Sequence, residues 1–133
     1  DILKLVKISK KKPNKILNGY CKIKDKDLYN SSNIPKVIFS NNKKLLYMSR
    51  SPIPGNKKLI FKEAYRQVCA YVFPRDKLLA FQKKKKTRFE NIEDIEILRF
   101  LELGFEIEMV KLSEISKSVD TKSDIKKIIN LIN

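Results

Sequence analysis

The hydrophobic positions of this chain fall in short blocks between polar and basic stretches, and the spacing inside each block predicts an element. Residues 36–39 (KVIF) and 45–48 (LLYM) are two runs of strand formers on either side of Ser40, Asn41, Asn42, Lys43 and Lys44. Asparagine tolerates left-handed turn geometry, so the two runs predict a hairpin. In the following SRSPIPGNKK, Pro52 and Pro54 fix φ and remove backbone donors, which predicts a stiff, non-repetitive loop. Residues 65–73 (YRQVCAYVF) carry β-branched and aromatic side chains with Arg66 as their charge. That composition predicts a strand buried on both faces of a largely parallel sheet, with Cys69 buried inside it. Pro74 ends the run, and Leu78, Leu79 and Phe81 predict a helix over 75–82 with Asp76 favouring its N-terminus.

Asn91 is placed to cap a single helix whose apolar positions Ile92, Ile95, Leu98, Phe100, Leu101 and Leu103 follow a 3.6-residue period. Gly104 stops it, and Phe105, Ile107 and Met109 then alternate with Glu106, Glu108 and Val110 as a strand does. Helix, glycine, strand is a step of an α/β fold. Further on, Thr121 and Asp124 stand in capping-box positions before an apolar stripe of Ile125, Ile128, Ile129 and Ile132. The opening Ile2, Leu3, Leu5, Val6 and Ile8 read as a strand without an initiating turn, and LNGYCKIKD as strand or loop. No internal repeat or domain boundary interrupts residues 1–133, which are expected to be one domain or a portion of one.

Composition narrows the function classes. With 133 residues, 42% of them hydrophobic, the chain can bury a real core. No apolar run approaches the roughly 20 residues that span a bilayer, and no secretory signal opens the chain, so a cytoplasmic protein without a membrane partner is expected. The absence of histidine, and two cysteines far apart, exclude a Cys/His zinc site. A net charge of +15 would suit a polyanion. The lysine runs at 10–12 and 83–86 fall in apparent loops, however, and read as solvated surface rather than as a nucleic-acid site.

Four segments in order, LLYMSRSPIPG, YRQVCAYVFPRDKLLAF, ENIEDIEILRFLELGFEIEMV and SVDTKSD, resemble the distal half of the CMP-KDO synthetases, the cytidylyltransferases that activate KDO and related sugar acids. The resemblance covers roughly residues 33 to 133. It implies part of a three-layer α/β nucleotide-diphosphosugar transferase fold, Rossmann-like, with a mixed β-sheet and flanking helices. The implied reaction joins CTP and a 2-keto sugar acid into a CMP-sugar and pyrophosphate, a step of surface lipopolysaccharide synthesis. Such a step rests on positioning and charge neutralisation rather than on a nucleophilic side chain.

The same resemblance assigns roles. Asp120 in SVDT matches the family's metal-binding aspartate, which implies Mg²⁺, a dication satisfied by one or two carboxylates and several waters. Arg50 in MSRSPIP matches a catalytic arginine, a planar fork suited to a carboxylate or phosphate. Gln67 and Tyr71 fall where family members carry a histidine and a tyrosine facing the sugar, and Glu96 matches a sugar-contacting carboxylate. Gln67 in place of histidine, and Ile97 in place of a glutamine, leave the identity of the sugar acid open. The family's basic phosphate loop, cytosine pocket and second metal aspartate have no counterpart in residues 1–133. Residues 1–133 therefore read as the C-terminal portion of a single cytidylyltransferase domain, catalytically inert alone and expected to form a homodimer. A basic nucleic-acid module and a non-catalytic dimerising fragment are the alternatives.

Overall fold

The computed structural model describes residues 1–114, and everything structural below concerns those residues. Thr121, Asp124 and the isoleucine stripe beyond them lie outside the described residues.

Two strands make the centre. β1 (Ile16–Lys22) is buried along nearly its whole length and lies between β4 (Tyr65–Val72), to which it runs antiparallel, and β5 (Ile107–Lys111), to which it runs parallel. β2 (Lys36–Phe39) and β3 (Leu45–Ser49) form the expected hairpin, with the turn closed at Lys43, whose φ is 65°. β2 joins the other side of β4, completing a five-stranded mixed sheet in the order β3-β2-β4-β1-β5. The expectation of a largely parallel sheet is thereby corrected: β4 is antiparallel to both neighbours. A hairpin on one side and an incoming strand on the other leave no crossover to make it parallel.

Each face of the sheet carries its own core. On one face Ile16, Tyr20, Ile107 and Met109 pack with Val37, Met48, Ile95, Leu98 and Phe100. On the other, Leu17, Val110 and Leu112 pack with Leu5 of α1 (Ile2–Lys11), with Val68, Ala70 and Val72 alongside. This makes three layers: helix, sheet, helices.

α1 overturns the strand expected at the chain's beginning. Leu5 and Ile8, three residues apart, bring one side of a helix onto the second core, whereas Ile2 and Leu3 stay 73% and 84% exposed. A short apolar run has no decisive period, and contact with the sheet decided it. Lys10 and Lys11 consequently sit in the last helical turn, where cations suit the helix dipole, and not in a loop. α2 (Lys26–Asn30) is a single turn capped by Asp25, whose Oδ1 accepts the Leu28 N–H at 2.8 Å. α3 (Arg75–Gln82) follows Pro74 as expected.

The long helix expected from residue 91 is instead two short ones, α4 (Arg88–Glu93) and α5 (Ile97–Glu102), broken where Asp94 adopts φ 51° and ψ 50°. Asn91 lies inside α4, and Thr87 holds the N-cap position. The Glu102 carboxylate accepts the Phe89 N–H at 3.1 Å, satisfying a donor at the start of α4 from the end of α5. The two helices are also joined by a buried ion pair. Arg99 Nε donates to Glu90 Oε2 at 2.6 Å, and Arg99 NH1 reaches the carbonyl of Lys84 at 3.0 Å.

The Arg99 bonds, together with the Thr87 N–H, hold the Glu90 carboxyl below the usual carboxylate range despite burial. A depressed folded pKa gives stability that is complete above the unfolded carboxylate range and is lost as pH falls through the folded value. Glu90→Ala should cost about 3 kcal/mol in urea melts at pH 7, because it leaves the Arg99 charge buried and unpaired. The deficit should shrink between about pH 5 and pH 3 as the parent chain loses the same contribution.

Candidate functional site

A break in the β1–β4 ladder creates the candidate site. Asn18 opposes Tyr71 and Gly19 opposes Val68, so two extra residues of β4, Cys69 and Ala70, bulge out of register. An insertion of two preserves the alternation of faces, and Gln67 and Tyr71 therefore stay on the same side. Bulging also explains a correction: Cys69, expected to be buried, is exposed, and Cys21 on β1 is the buried thiol.

Beside the bulge, the Asn18 side chain bonds two carbonyls of β4. It is fully buried, and Nδ2 donates to the carbonyls of Val68 at 3.1 Å and Ala70 at 3.2 Å. Gln67 Nε2 donates to Asn18 Oδ1 at a long 3.4 Å and to the Tyr71 hydroxyl at 2.7 Å. Burial first, and then the neighbouring Cys69 thiol and Glu96 carboxylate, push the Tyr71 hydroxyl upward in pKa, so it remains a neutral phenol at physiological pH. Glu96 is exposed at the start of α5 and lies close enough to act electrostatically on both Tyr71 and Arg99. Three of the sequence-derived candidates, Gln67, Tyr71 and Glu96, therefore share one neighbourhood. Asn18 was missed. A lone asparagine in an uncertain segment carries no signal until β4 is laid beside it.

Arg50, the arginine matched to the family's motif, lies where the hairpin meets the helical layer. Its guanidinium is engaged by backbone: Nε donates to the Glu93 carbonyl at 2.7 Å, NH1 to Ser32 at 3.0 Å and NH2 to Asp94 at 2.9 Å. The planar fork clamps the turn between α4 and α5 from which Glu96 projects. Glu93 completes the junction, accepting from Ser49 Oγ at 2.6 Å and the Arg50 N–H at 2.9 Å. Burial lifts the Glu93 carboxyl, but these bonds outweigh it and leave the group depressed. Lys36, wholly buried, donates from Nζ to the carbonyls of Ser31 and Arg50, and burial lowers its pKa. Neither Lys36 nor Glu93 was singled out from sequence, because a lysine at the start of a strand reads as surface.

Part of the basic surface is partnered. Glu106 accepts from Lys44 and Lys15 at 2.6 and 2.9 Å, which brings its carboxyl down to about 2, and Lys12, Lys22 and Lys24 pair with Glu108, Glu63 and Glu114. A polar recess beside Lys15, Asn42, Lys44 and Glu106 contains none of the candidate residues. Among the described residues no three His, Cys, Asp or Glu side chains converge on a metal position, and no helix is long and apolar enough to cross a membrane. Asp120 lies outside the described residues.

No family model matches the chain. It is 37% identical over 128 residues to a 3-deoxy-manno-octulosonate cytidylyltransferase of Geobacter metallireducens, covering 86% of this chain and 50% of the relative. An 8-amino-3,8-dideoxy-manno-octulosonate cytidylyltransferase of Shewanella pealeana is 35% identical over 104 residues, 78% of this chain and 42% of the relative. The fold matches a solved CMP:2-keto-3-deoxy-manno-octonic acid synthetase complexed with CTP at a TM-score of 0.86 and 23% identity, over 97% of this chain and 54% of that one. The chain thus spans about half the length of the curated relatives it matches.

Arg50→Lys should destabilise the chain by about 1–3 kcal/mol in chemical denaturation, since an ammonium cannot reach three carbonyls in one plane. In amide hydrogen exchange the loss of protection should concentrate between Glu93 and Leu98. A variant as stable as the parent would show that the clamp is not needed.

Proposed function

The chain belongs to the CMP-KDO synthetase family, over about half of its relatives' length, and from that premise we propose that it supplies the sugar-acid side of a cytidylyltransferase. The observation that carries this reading is the Gln67–Tyr71 pair beside Glu96 at the β4 bulge, in a chain homologous to enzymes named for octulosonate substrates. A neutral phenol, an amide and a carboxylate within one neighbourhood offer both donors and acceptors, which a polyhydroxylated acid requires.

In the proposed reaction the anomeric hydroxyl oxygen of a 2-keto sugar acid such as KDO attacks the α-phosphorus of CTP. The P–O bond to the β-phosphate breaks, pyrophosphate departs with the electron pair, and the hydroxyl proton passes to water. Gln67, Tyr71 and Glu96 hold the sugar so that this oxygen faces the phosphorus, and effective concentration rather than side-chain nucleophilicity supplies the rate. Arg50 acts as a positioning residue through the turn that carries Glu96. The nucleotide is held by the remaining length of the relatives, for which residues 1–133 contain no phosphate-gripping loop.

We retain Mg²⁺ as the proposed cofactor, with Asp120 as a carboxylate ligand of the kind a hard dication takes. Bound there, it would neutralise charge on the phosphates. A homodimer remains the proposed assembly, and light scattering on the chain reads it directly.

Cys69 provides a test on the chain as it stands, because its exposed thiol neighbours Tyr71. KDO should slow alkylation of Cys69 by iodoacetamide, and Gln67→Leu should abolish that protection. Unchanged alkylation of the folded chain at millimolar KDO would sink the sugar-side assignment. In a protein that also carries the nucleotide-gripping half, Asp120→Ala should remove most Mg²⁺-dependent pyrophosphate release while KDO still protects Cys69. Full release by that variant would remove Asp120 from the metal site.

A further inference from the structure

The orientation of an amide is set by what its two ends face, and here a chain of such constraints starts at backbone. Both groups facing Asn18 Nδ2 are carbonyls, those of Val68 and Ala70, so the nitrogen end of Asn18 must point to the bulge. Its oxygen end then points at Gln67, where it accepts from Nε2. This contact requires the nitrogen end of Gln67 to face inward, and the second hydrogen of Nε2 goes to the Tyr71 hydroxyl. With both hydrogens of Gln67 engaged inside the protein, the group left to meet a ligand is the carbonyl oxygen Oε1. The Tyr71 oxygen accepts from Gln67, and its own hydrogen is within reach of the Cys69 thiol.

We infer that Asn18 is a specificity-determining positioning residue. By reading the two bulge carbonyls it fixes the polarity of Gln67, so that the site presents the Oε1 acceptor, in a set direction, to a hydroxyl of the sugar acid. The inference rests on the sugar-side reading above. It also differs from a stabilising role alone, because an apolar residue filling the same space would keep the strands packed while leaving the Gln67 amide free to turn. Asn18 is wholly buried, and no ligand need touch it to feel its removal.

The test combines the exchange of the Gln67 side-chain amide protons, observed by ¹⁵N NMR, with the affinity of the chain for KDO. In the parent both Nε2 protons should exchange slowly. Asn18→Leu should release at least one of them and weaken KDO binding about tenfold, the scale of one lost hydrogen bond. Gln67→Leu should weaken KDO by a similar factor, and the double variant should be no worse than either single one, because both act through the same amide. If Asn18→Leu does not fold, Asn18→Ser, which keeps one donor for the bulge, should show the same changes at smaller size. Slow Gln67 exchange persisting in the folded Asn18 variants, or independent losses that multiply in the double variant, would overturn the inference. Failure of the parent chain to bind KDO would instead defeat the sugar-side reading, and the amide exchange would still decide whether Asn18 orients Gln67.

Discussion

A bulge inside a sheet frees carbonyls that cannot be left dry, and the arrangement of this molecule follows from how that demand is met. β4 runs two residues long against β1 at Asn18, with Val68, Ala70 and Val72 packed on one side and Gln67 and Tyr71 on the other. An unsatisfied buried acceptor costs on the order of 1–3 kcal/mol. Only a side chain carrying two donor hydrogens from the middle of β1 answers both carbonyls at once, and the asparagine that does so is held in one orientation. The same bulge expels Cys69 to the surface and preserves the facing that brings Gln67 to Tyr71. Sheet register and site geometry are thus one constraint.

A second junction ties the hairpin to the helical layer. Lys36, Ser49, Arg50 and Glu93 form a partly buried polar cluster in which each cation is met mainly by backbone carbonyls and the carboxylate mainly by neutral donors. Such a cluster is costly to desolvate unless nearly every group finds a partner, so it specifies geometry more than it adds stability. Its geometric product is the break at Asp94. Arg50 draws the Glu93 and Asp94 carbonyls away from helical bonding, and the chain restarts as α5 with Glu96 at its head. The arginine matched to the family's motif thus shapes the turn that carries Glu96.

Distribution matters more than sum for the large positive charge. Lysines 12, 15, 22, 24 and 44 pair with glutamates at the surface, exposed contacts worth little individually. The membership of the chain in the CMP-KDO synthetase family therefore rests on its sequence relatives, and its charge adds nothing to that argument.

What the residues alone determined was largely local. The KVIF and LLYM hairpin, the proline-stiffened loop, the helix after Pro74 and the glycine-to-strand step at Gly104 each depend on turn chemistry or periodicity within a few neighbours, and each stands in the fold. The order of four segments was enough to point to a family. Tertiary contact decided the rest. Leu5 and Ile8 became one side of a helix because a sheet face needed cover, a regular helical stripe was cut in two by a distant arginine, and Cys69 left the core because its partner strand is shorter by two residues. Asn18 illustrates the limit most clearly: an asparagine's preferred neighbours are backbone groups, and which backbone it meets is fixed only when strands fifty residues apart in sequence come into register.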